Sequence, residues 1–358
     1  MAPPAVHAPP VSTEERAAAG HWSVALPRPA WYPACTSAEL GPRRPLAIEL
    51  MGTPLVVFRD GDGRPGVLLD RCPHRNAPLS DGRVHRGALE CGYHGWRFDR
   101  AGACVALPGL DREVGERRGV DAYVAVERDG MVWFWSEPGA EPDGEPFRLP
   151  DLGAGMRQVV LRYDIAATMH ATIENTLDVP HTAFLHRGLL RGAKPNRIRA
   201  VRRSIPRGVE VQYFGEPFGI GFFRPKSDTE LEHVDRFVLP CVAQVEYRAG
   251  PWLQLVNSVL HLPLSERRTR AWFVLRVNSR RLPTRLIQAV VRLQGPHVAK
   301  QDVRVLERQT ANVARFGGER YSSTELDLFG SAVWRLLRAA EKGGEPPVVE
   351  PREVTFLA

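Results

Sequence analysis

Two short boxes, Cys72-Pro73-His74 and Cys91-Gly92-Tyr93-His94, constrain this chain more than any other stretch. Sixteen residues separate them. Two thiols and two imidazoles at such spacing predict a four-ligand metal site. A structural zinc site with two Cys and two His is the simpler reading. Zinc sites of that kind usually pair Cys with Cys and His with His, whereas each box here offers one of each. That alternation suits a [2Fe-2S] cluster with two Cys on one iron and two His on the other. Neutral imidazoles in place of thiolates let such a cluster accept an electron at a higher potential.

The flanks agree. Arg75-Asn76-Ala77-Pro78-Leu79 follows the first box, and Gly95-Trp96-Arg97-Phe98-Asp99 follows the second. The run from CPHRNAPLSDG to CGYHGWRFD resembles the cluster loops of Rieske proteins. Respiratory members carry an extra Cys in each loop, joined as a disulfide, and neither loop here has one. Gly92 departs from the usual pattern, in which Pro follows the second Cys.

A second metal site is predicted downstream, at Glu174-Asn175-Thr176-Leu177-Asp178-Val179-Pro180-His181-Thr182-Ala183-Phe184-Leu185-His186. Two His with acidic neighbours are the raw material of a two-His, one-carboxylate triad on Fe(II), which leaves open positions for O2 and substrate. Residues five apart stand about 140° apart on an ideal helix. His181 and His186 therefore converge only where the helix ends, and Pro180 supplies the break. Read alone, the stretch is equally an amphipathic helix with two incidental His.

Behind a Rieske box, however, this stretch resembles the catalytic α subunit of the Rieske non-haem iron oxygenases. The family pattern E/D-N-x-x-D-x-x-H-x4-H is matched at every fixed position, and the resemblance covers about residues 22–342. It implies that Cys72, His74, Cys91 and His94 bind the [2Fe-2S] cluster, and that His181 and His186 bind a mononuclear Fe(II). An acid on a late helix completes the triad. Asp302 is that residue, sharing a helical face with Leu306 and Gln309; Glu307 is the runner-up. The resemblance makes Asp178 a bridge between an iron-ligand His and the Rieske His of a neighbouring subunit, which implies a head-to-tail homotrimer. Glu174 and Asn175 are expected behind the ligands, with a plain helix-surface place for Glu174 equally open. His170 either lines the pocket or is packed.

The implied chemistry is O2-dependent hydroxylation of a bulky apolar or aromatic small molecule, by monooxygenation or oxidative demethylation. Arene cis-dihydroxylation uses the same ligands and stays open, as does a non-catalytic electron carrier or metal-stabilised binding protein. The single-chain types the sequence is similar to are ketosteroid hydroxylases, vanillate O-demethylases and pheophorbide or chlorophyllide oxygenases. The chain has no Gly-rich dinucleotide loop. Its electrons are expected from NAD(P)H through a separate reductase, with or without a ferredoxin.

The 358 residues suit two domains. The reading is a disordered lead at 1–20, a small all-β Rieske domain at 21–136, a linker at 137–146, a catalytic domain at 147–343 and a tail at 344–358. Strand runs and helical runs lie apart in the second domain. That predicts an α+β fold, an antiparallel sheet flanked by helices in the helix-grip, START-like manner. Helices are expected at about 166–187, 284–315 and 323–342, with Leu326, Phe329, Val333, Leu336, Leu337 and Ala340 on one face of the last. The net charge is +7, yet all but Lys194, Lys226, Lys300 and Lys342 of the 48 basic residues are Arg, spread along the chain. This is a poor footprint for nucleic acid. No apolar run reaches the roughly twenty residues of a membrane span. Cys35, Cys104 and Cys241 read as free thiols, and a cytoplasmic location is expected. Pocket walls are expected from 205–275 and from the helix bearing Asp302; Phe222, Phe223 and Trp252 are candidates and equally fit the core.

Overall fold

The computed structural model describes residues 21–110, 118–186, 196–216, 231–281 and 283–357. They form two compact units: Arg28–Arg148, and Leu149 onward together with the stretch ending at Pro27.

The described residues of the first unit are built of β-strands and turns. Its strands are β1 (Trp31–Thr36), β2 (Leu46–Leu50), β3 (Thr53–Arg59), β4 (Pro65–Leu69), β5 (Arg83–His85), β6 (Ala88–Glu90), β7 (Arg97–Phe98), β8 (Cys104–Ala106), β9 (Ala122–Tyr123), β10 (Ala125–Arg128) and β11 (Met131–Trp135). They make three antiparallel sheets ordered β1-β11-β10, β2-β3-β4-β9 and β5-β6-β7-β8. The Asp-Gly turn between β3 and β4 is built as its sequence dictates: Asp60 Oδ1 accepts the N–H groups of Asp62 (2.9 Å) and Arg64 (2.8 Å), and Gly63 takes φ 79°. The first metal box follows β4 and the second follows β6. Residues 137–146, expected as a linker, belong to this unit. Their backbone is tied in, since Trp31 Nε1 donates to Gly144 O (3.0 Å) and Gly139 N to Ala122 O (3.0 Å).

The second unit is built on one antiparallel sheet. Its strands are β12 (Arg157–Ile165), β13 (Arg197–Ile205), β14 (Gly208–Phe214), β15 (Leu231–Val238), β16 (Val242–Ala249), β17 (Leu253–Ser265), β18 (Arg268–Ser279) and β19 (Arg352–Leu357). Their order is β12-β18-β17-β16-β15-β14-β13-β19. Its helices are α1 (Met169–Leu177), α2 (Thr284–Arg315) and α3 (Gly330–Glu341), and a 3-10 turn, Pro180–Ala183, follows α1. α1 packs on β15–β17, α2 on β12 and β18, and α3 on α1 and β14. This is the α+β arrangement expected.

Three boundaries differ from the sequence reading. α3 begins at Gly330, because Thr324–Asp327 closes a turn through Asp327 N and Thr324 O (3.3 Å); Leu326 lies outside the helix and is exposed, while Val333, Leu336 and Leu337 are buried as expected. The helix at 166–187 stops at Leu177. The segment 344–358, expected as a tail, carries β19, which pairs along β13 from Arg197↔Leu357 to Arg202↔Arg352. Residues 1–20 lie outside the described residues.

Candidate metal centres

In the first unit the two boxes share one backbone device. Cys72 N donates to Ala77 O (2.8 Å) and Asn76 N to Cys72 O (2.8 Å); Cys91 N donates to Trp96 O (2.8 Å) and Gly95 N to Cys91 O (3.0 Å). The fifth residue of each loop is left-handed, Asn76 at φ 61° and Gly95 at φ 69°. Asn tolerates that region better than other side chains. At position 95 a Cβ would also come within 3.0 Å of Pro108 Cγ, so Gly fits there for two reasons. Asp70 clasps the first loop, accepting from Ser80 N (2.7 Å) and Ser80 Oγ (2.5 Å). Gly82 lets the chain pass under the second loop, where a Cβ would overlap Glu90 O. At Gly92, the departure from the usual Pro, a Cβ would stand 3.0 Å from Asp81 O, and Gly relieves that approach.

Both Cys are 2% exposed and sit against Val56, Phe58, Leu68, Leu79, Leu89 and Phe98. The imidazoles lie together at the loop tips, with ring centroids 4.5 Å apart, and His74 stacks flat on Trp96 at 4.8 Å. His74 Nδ1 is shielded from water and has no hydrogen-bond partner. Burial and the neighbouring Cys91 push the Cys72 thiol up to about 11. An orphaned ring nitrogen and two buried thiols are costly as bare polar groups. They fit as ligands, because a bound metal charge deprotonates a coordinating thiol.

In the second unit, Thr168 Oγ1 caps α1 by accepting from Ala171 N (3.1 Å). The helix ends at Asp178, and Pro180 opens the 3-10 turn. That change of path brings His181 and His186 round to the same side. Their Nε2 atoms are 3.2 Å apart. From α2, Asp302 Oδ1 lies 3.5 Å from His181 Nε2 and 3.1 Å from His186 Nε2. These three form the only group of three or more metal-ligating side chains with converging donor atoms among the described residues. Glu307, the runner-up, is exposed and outside the group.

The tautomers follow from the partners. His186 Nδ1–H donates to Gln301 Oε1 (2.8 Å), which leaves Nε2 as a lone pair facing Asp302. Asp178 Oδ2 stands 3.6 Å from His181 Nδ1, on the far side of that ring from the triad. Burial lowers the His181 pKa, but Asp178 and Asp302 outweigh it and push it up to about 9. Burial raises Asp302, and the two imidazoles outweigh that to hold its carboxyl below the usual range. Asp302 Oδ1 is nonetheless buried without a hydrogen bond. Two ring nitrogens and an orphaned carboxylate oxygen converging on one point are the donor set a cation needs.

The remaining candidates are placed elsewhere. Asn175 lies in the last turn of α1 and gives its carbonyl to Asp178 N (3.4 Å). Glu174 points to the start of α3, where a Cβ on Gly330 would overlap its carboxylate; burial raises its pKa. His170 is packed, its Nε2–H donating to Gly330 O (2.9 Å) with the ring edge-on to Trp334. Trp252 belongs to a core cluster with Leu231, Ala249, Leu253 and Val277. Phe222 and Phe223 lie outside the described residues. Gln301, Asp70 and Ser80 went unnoticed in the sequence; only the adjacency of Gln301 to Asp302 hinted at its role.

Comparison with known families and structures matches this architecture. The Rieske [2Fe-2S] domain covers residues 30–124, and the vanillate O-demethylase oxygenase C-terminal domain covers residues 165–343, half of the chain. The chain belongs to the Rieske oxygenases. Among curated relatives of this oxygenase, the dicamba O-demethylase oxygenase component of Stenotrophomonas maltophilia is 37% identical over 164 residues, 45% of this chain and 48% of the relative. The vanillate O-demethylase oxygenase subunit of a Pseudomonas species is 34% identical over 171 residues, 45% of each. Chlorophyllide a oxygenase of Chlamydomonas reinhardtii is 38% identical over 159 residues, 44% of this chain and 24% of the relative. The chain thus spans at most about half the length of these relatives. The crystal structure of dicamba monooxygenase bound to dicamba superposes with a TM-score of 0.76 at 24% identity, over 89% of this chain and 98% of that one, a likeness of fold. Among the described residues no helix is long and apolar enough to cross a membrane.

Proposed function

We propose that this chain is the oxygenase component of a system that hydroxylates or oxidatively demethylates an apolar or aromatic small molecule. The observation that carries the reading is the convergence of His181, His186 and Asp302 in a chain that also presents the two Cys/His loops. Cys72, His74, Cys91 and His94 would hold a [2Fe-2S] cluster, which would supply single-electron transfer, and His181, His186 and Asp302 would hold an Fe(II), which would supply open positions for O2.

The protein's own work is positional. Gln301 holds the His186 ring with Nε2 toward Asp302, and Asp178 orients His181 from the opposite side, as partners of metal-bound imidazoles do. Thr168 and Pro180 fix where α1 starts and stops. Hydroxylation inserts one oxygen atom into a C–H bond and reduces the other to water. It therefore consumes two electrons and two protons, drawn from NAD(P)H through a separate reductase, with or without a ferredoxin. Asp178 is about two-fifths exposed, which supports its use by a second copy of the chain. On this reading the oxygenase is a head-to-tail homotrimer in which Asp178 faces a neighbour's Rieske His. It works in the cytoplasm, where the thiols of Cys35, Cys104 and Cys241, which form no disulfide, stay reduced.

The test is metal content and oxygen uptake. Reconstituted protein should hold about three irons per chain, two in the cluster and one at the triad, and consume O2 in a substrate-dependent way with a reductase. Asp302→Ala should lose one iron and keep the cluster's visible absorption. Full turnover in that variant sinks the triad, and two irons with no uptake leave an electron carrier.

A further inference from the structure

The helix-bearing face of the catalytic sheet carries a strip of incompletely buried residues in its middle. Thr269 identifies this face, since its Oγ1 donates to Ala167 O just ahead of α1 (3.0 Å). So does Leu161, which a Cβ on Gly295 of α2 would touch at 3.4 Å. Strand alternation and the ladders carry that assignment across the sheet. Val245↔Asn257 and Asn257↔Leu275 are direct partners on β16, β17 and β18, and Phe273↔Leu161 form the adjoining row. Neighbours on the same face, Val211, Ala243, Val259 and Ala271, are fully buried. Val245, Asn257, Leu275 and Phe273 are only partly buried, although they stand on central strands. They stand on the strands against which the helices next to or carrying His181, His186 and Asp302 pack.

Asn257 is the amide in this apolar strip. Its Oδ1 is shielded from water and has no hydrogen-bond partner. On the opposite face of the same strands the amide of Gln244 is satisfied, donating to Ser258 Oγ (3.1 Å). The charge beside the strip is acidic. Asp235 is the ladder partner of Val245, and with Glu216 it encloses the His233 imidazole, at 2.9 Å and 2.5 Å. Among the described residues of the strip none is cationic.

We propose that Asn257 is the specificity-determining contact of the oxygenase and that its substrate is a neutral aromatic molecule, a phenol or aryl ether. The ring lies over Val245, Leu275 and Phe273, and one oxygen substituent meets the amide. A half-turn of the amide offers either a donor or an acceptor, so a hydroxyl and an ether oxygen are both served. A carboxylate meets there the Glu216–His233–Asp235 group, in which two carboxylates outnumber one imidazolium. This inference rests on the reading of the triad as an iron site.

The experiment measures anaerobic equilibrium binding to the iron-loaded enzyme by calorimetry, with p-methoxyphenol, p-methylanisole and p-methoxybenzoate as probes. Wild type should bind p-methoxyphenol about tenfold more tightly than p-methylanisole, the scale of one hydrogen bond, and more tightly still than p-methoxybenzoate. Asn257→Leu should erase the difference between the first two probes while leaving p-methylanisole affinity, iron content and cluster absorption unchanged; Asn257→Ala serves if the Leu variant misfolds. Retention of the preference in these variants, tighter binding of the benzoate, or no binding of any probe overturns the proposal. Because binding is read without O2, failure of the oxygenase reading shows separately, as absent oxygen uptake or a missing third iron.

Discussion

His233 holds the most heavily committed buried charge of the catalytic unit. It is 0% exposed, pairs through Nδ1 with Glu216 and through Nε2 with Asp235, and is stacked between Tyr213 (4.6 Å) and Tyr247 (4.1 Å). A ring with both nitrogens on carboxylates is an imidazolium. Burial alone lowers its pKa, but Asp235 and Glu216 outweigh this and push it up to about 10. His233→Leu leaves the two acids buried and facing one another. Breaking a buried pair from one side costs about 3–5 kcal/mol. At roughly 2–4 °C per kcal/mol for a domain of this size, the melting temperature should fall by about 6–20 °C. Scanning calorimetry at pH 7 on iron-matched samples reads it. The double variant His233→Leu/Asp235→Leu should recover part of the loss, since it removes one of the two stranded acids and leaves only Glu216 without the imidazolium. A single variant within about 2 °C of wild type, or a double variant no better than the single, refutes the assignment.

The same pair gives a pH signature: with the folded pKa raised to about 10 from an unfolded value of about 6.5, its stabilisation is complete below the unfolded value and is lost as pH rises toward the folded one. Wild type should therefore lose more melting temperature between neutral and alkaline pH than the double variant does. Gln301→Leu frees His186 Nδ1 and should weaken mononuclear iron binding by about 10–100-fold, measured by chelator competition, with the cluster signal intact. Gly330→Ala drives a methyl into the Glu174 carboxylate and should cost about 1–3 kcal/mol in thermal unfolding, without altering iron content. Gly82→Ala should lower cluster loading, read from the visible absorption per chain, because the added methyl meets the Glu90 carbonyl beneath the second loop.

The Cys/His boxes, the two-domain division and the helix at 284–315 were legible because each is a local pattern. His181 and His186 were legible as a pair, and Pro180 correctly marked where the helical phase had to break. Reading Asp302 as their partner needed the family resemblance, for nothing in residues 299–309 says which face meets an element more than a hundred positions away. Glu174 misled for the same reason: its neighbour is Gly330, and only the packing of α3 against α1 decides that. Gln301 and Asn257 look like ordinary polar residues in sequence. Their meaning comes from a ladder register and from which atoms are left unpaired.

Both edges of the catalytic sheet are filled by long-range partners. β12 pairs with β18, and β13 with β19. Synthesis from the amino terminus therefore leaves β13 without its outer neighbour until residue 357 has been made. Loops of such length are slow to close, and an unpaired strand edge is a template for association meanwhile. Expression at lower temperature or with chaperone support should favour the correctly folded chain over aggregates. Of the eight strands of this sheet, the one made last seals it at β13.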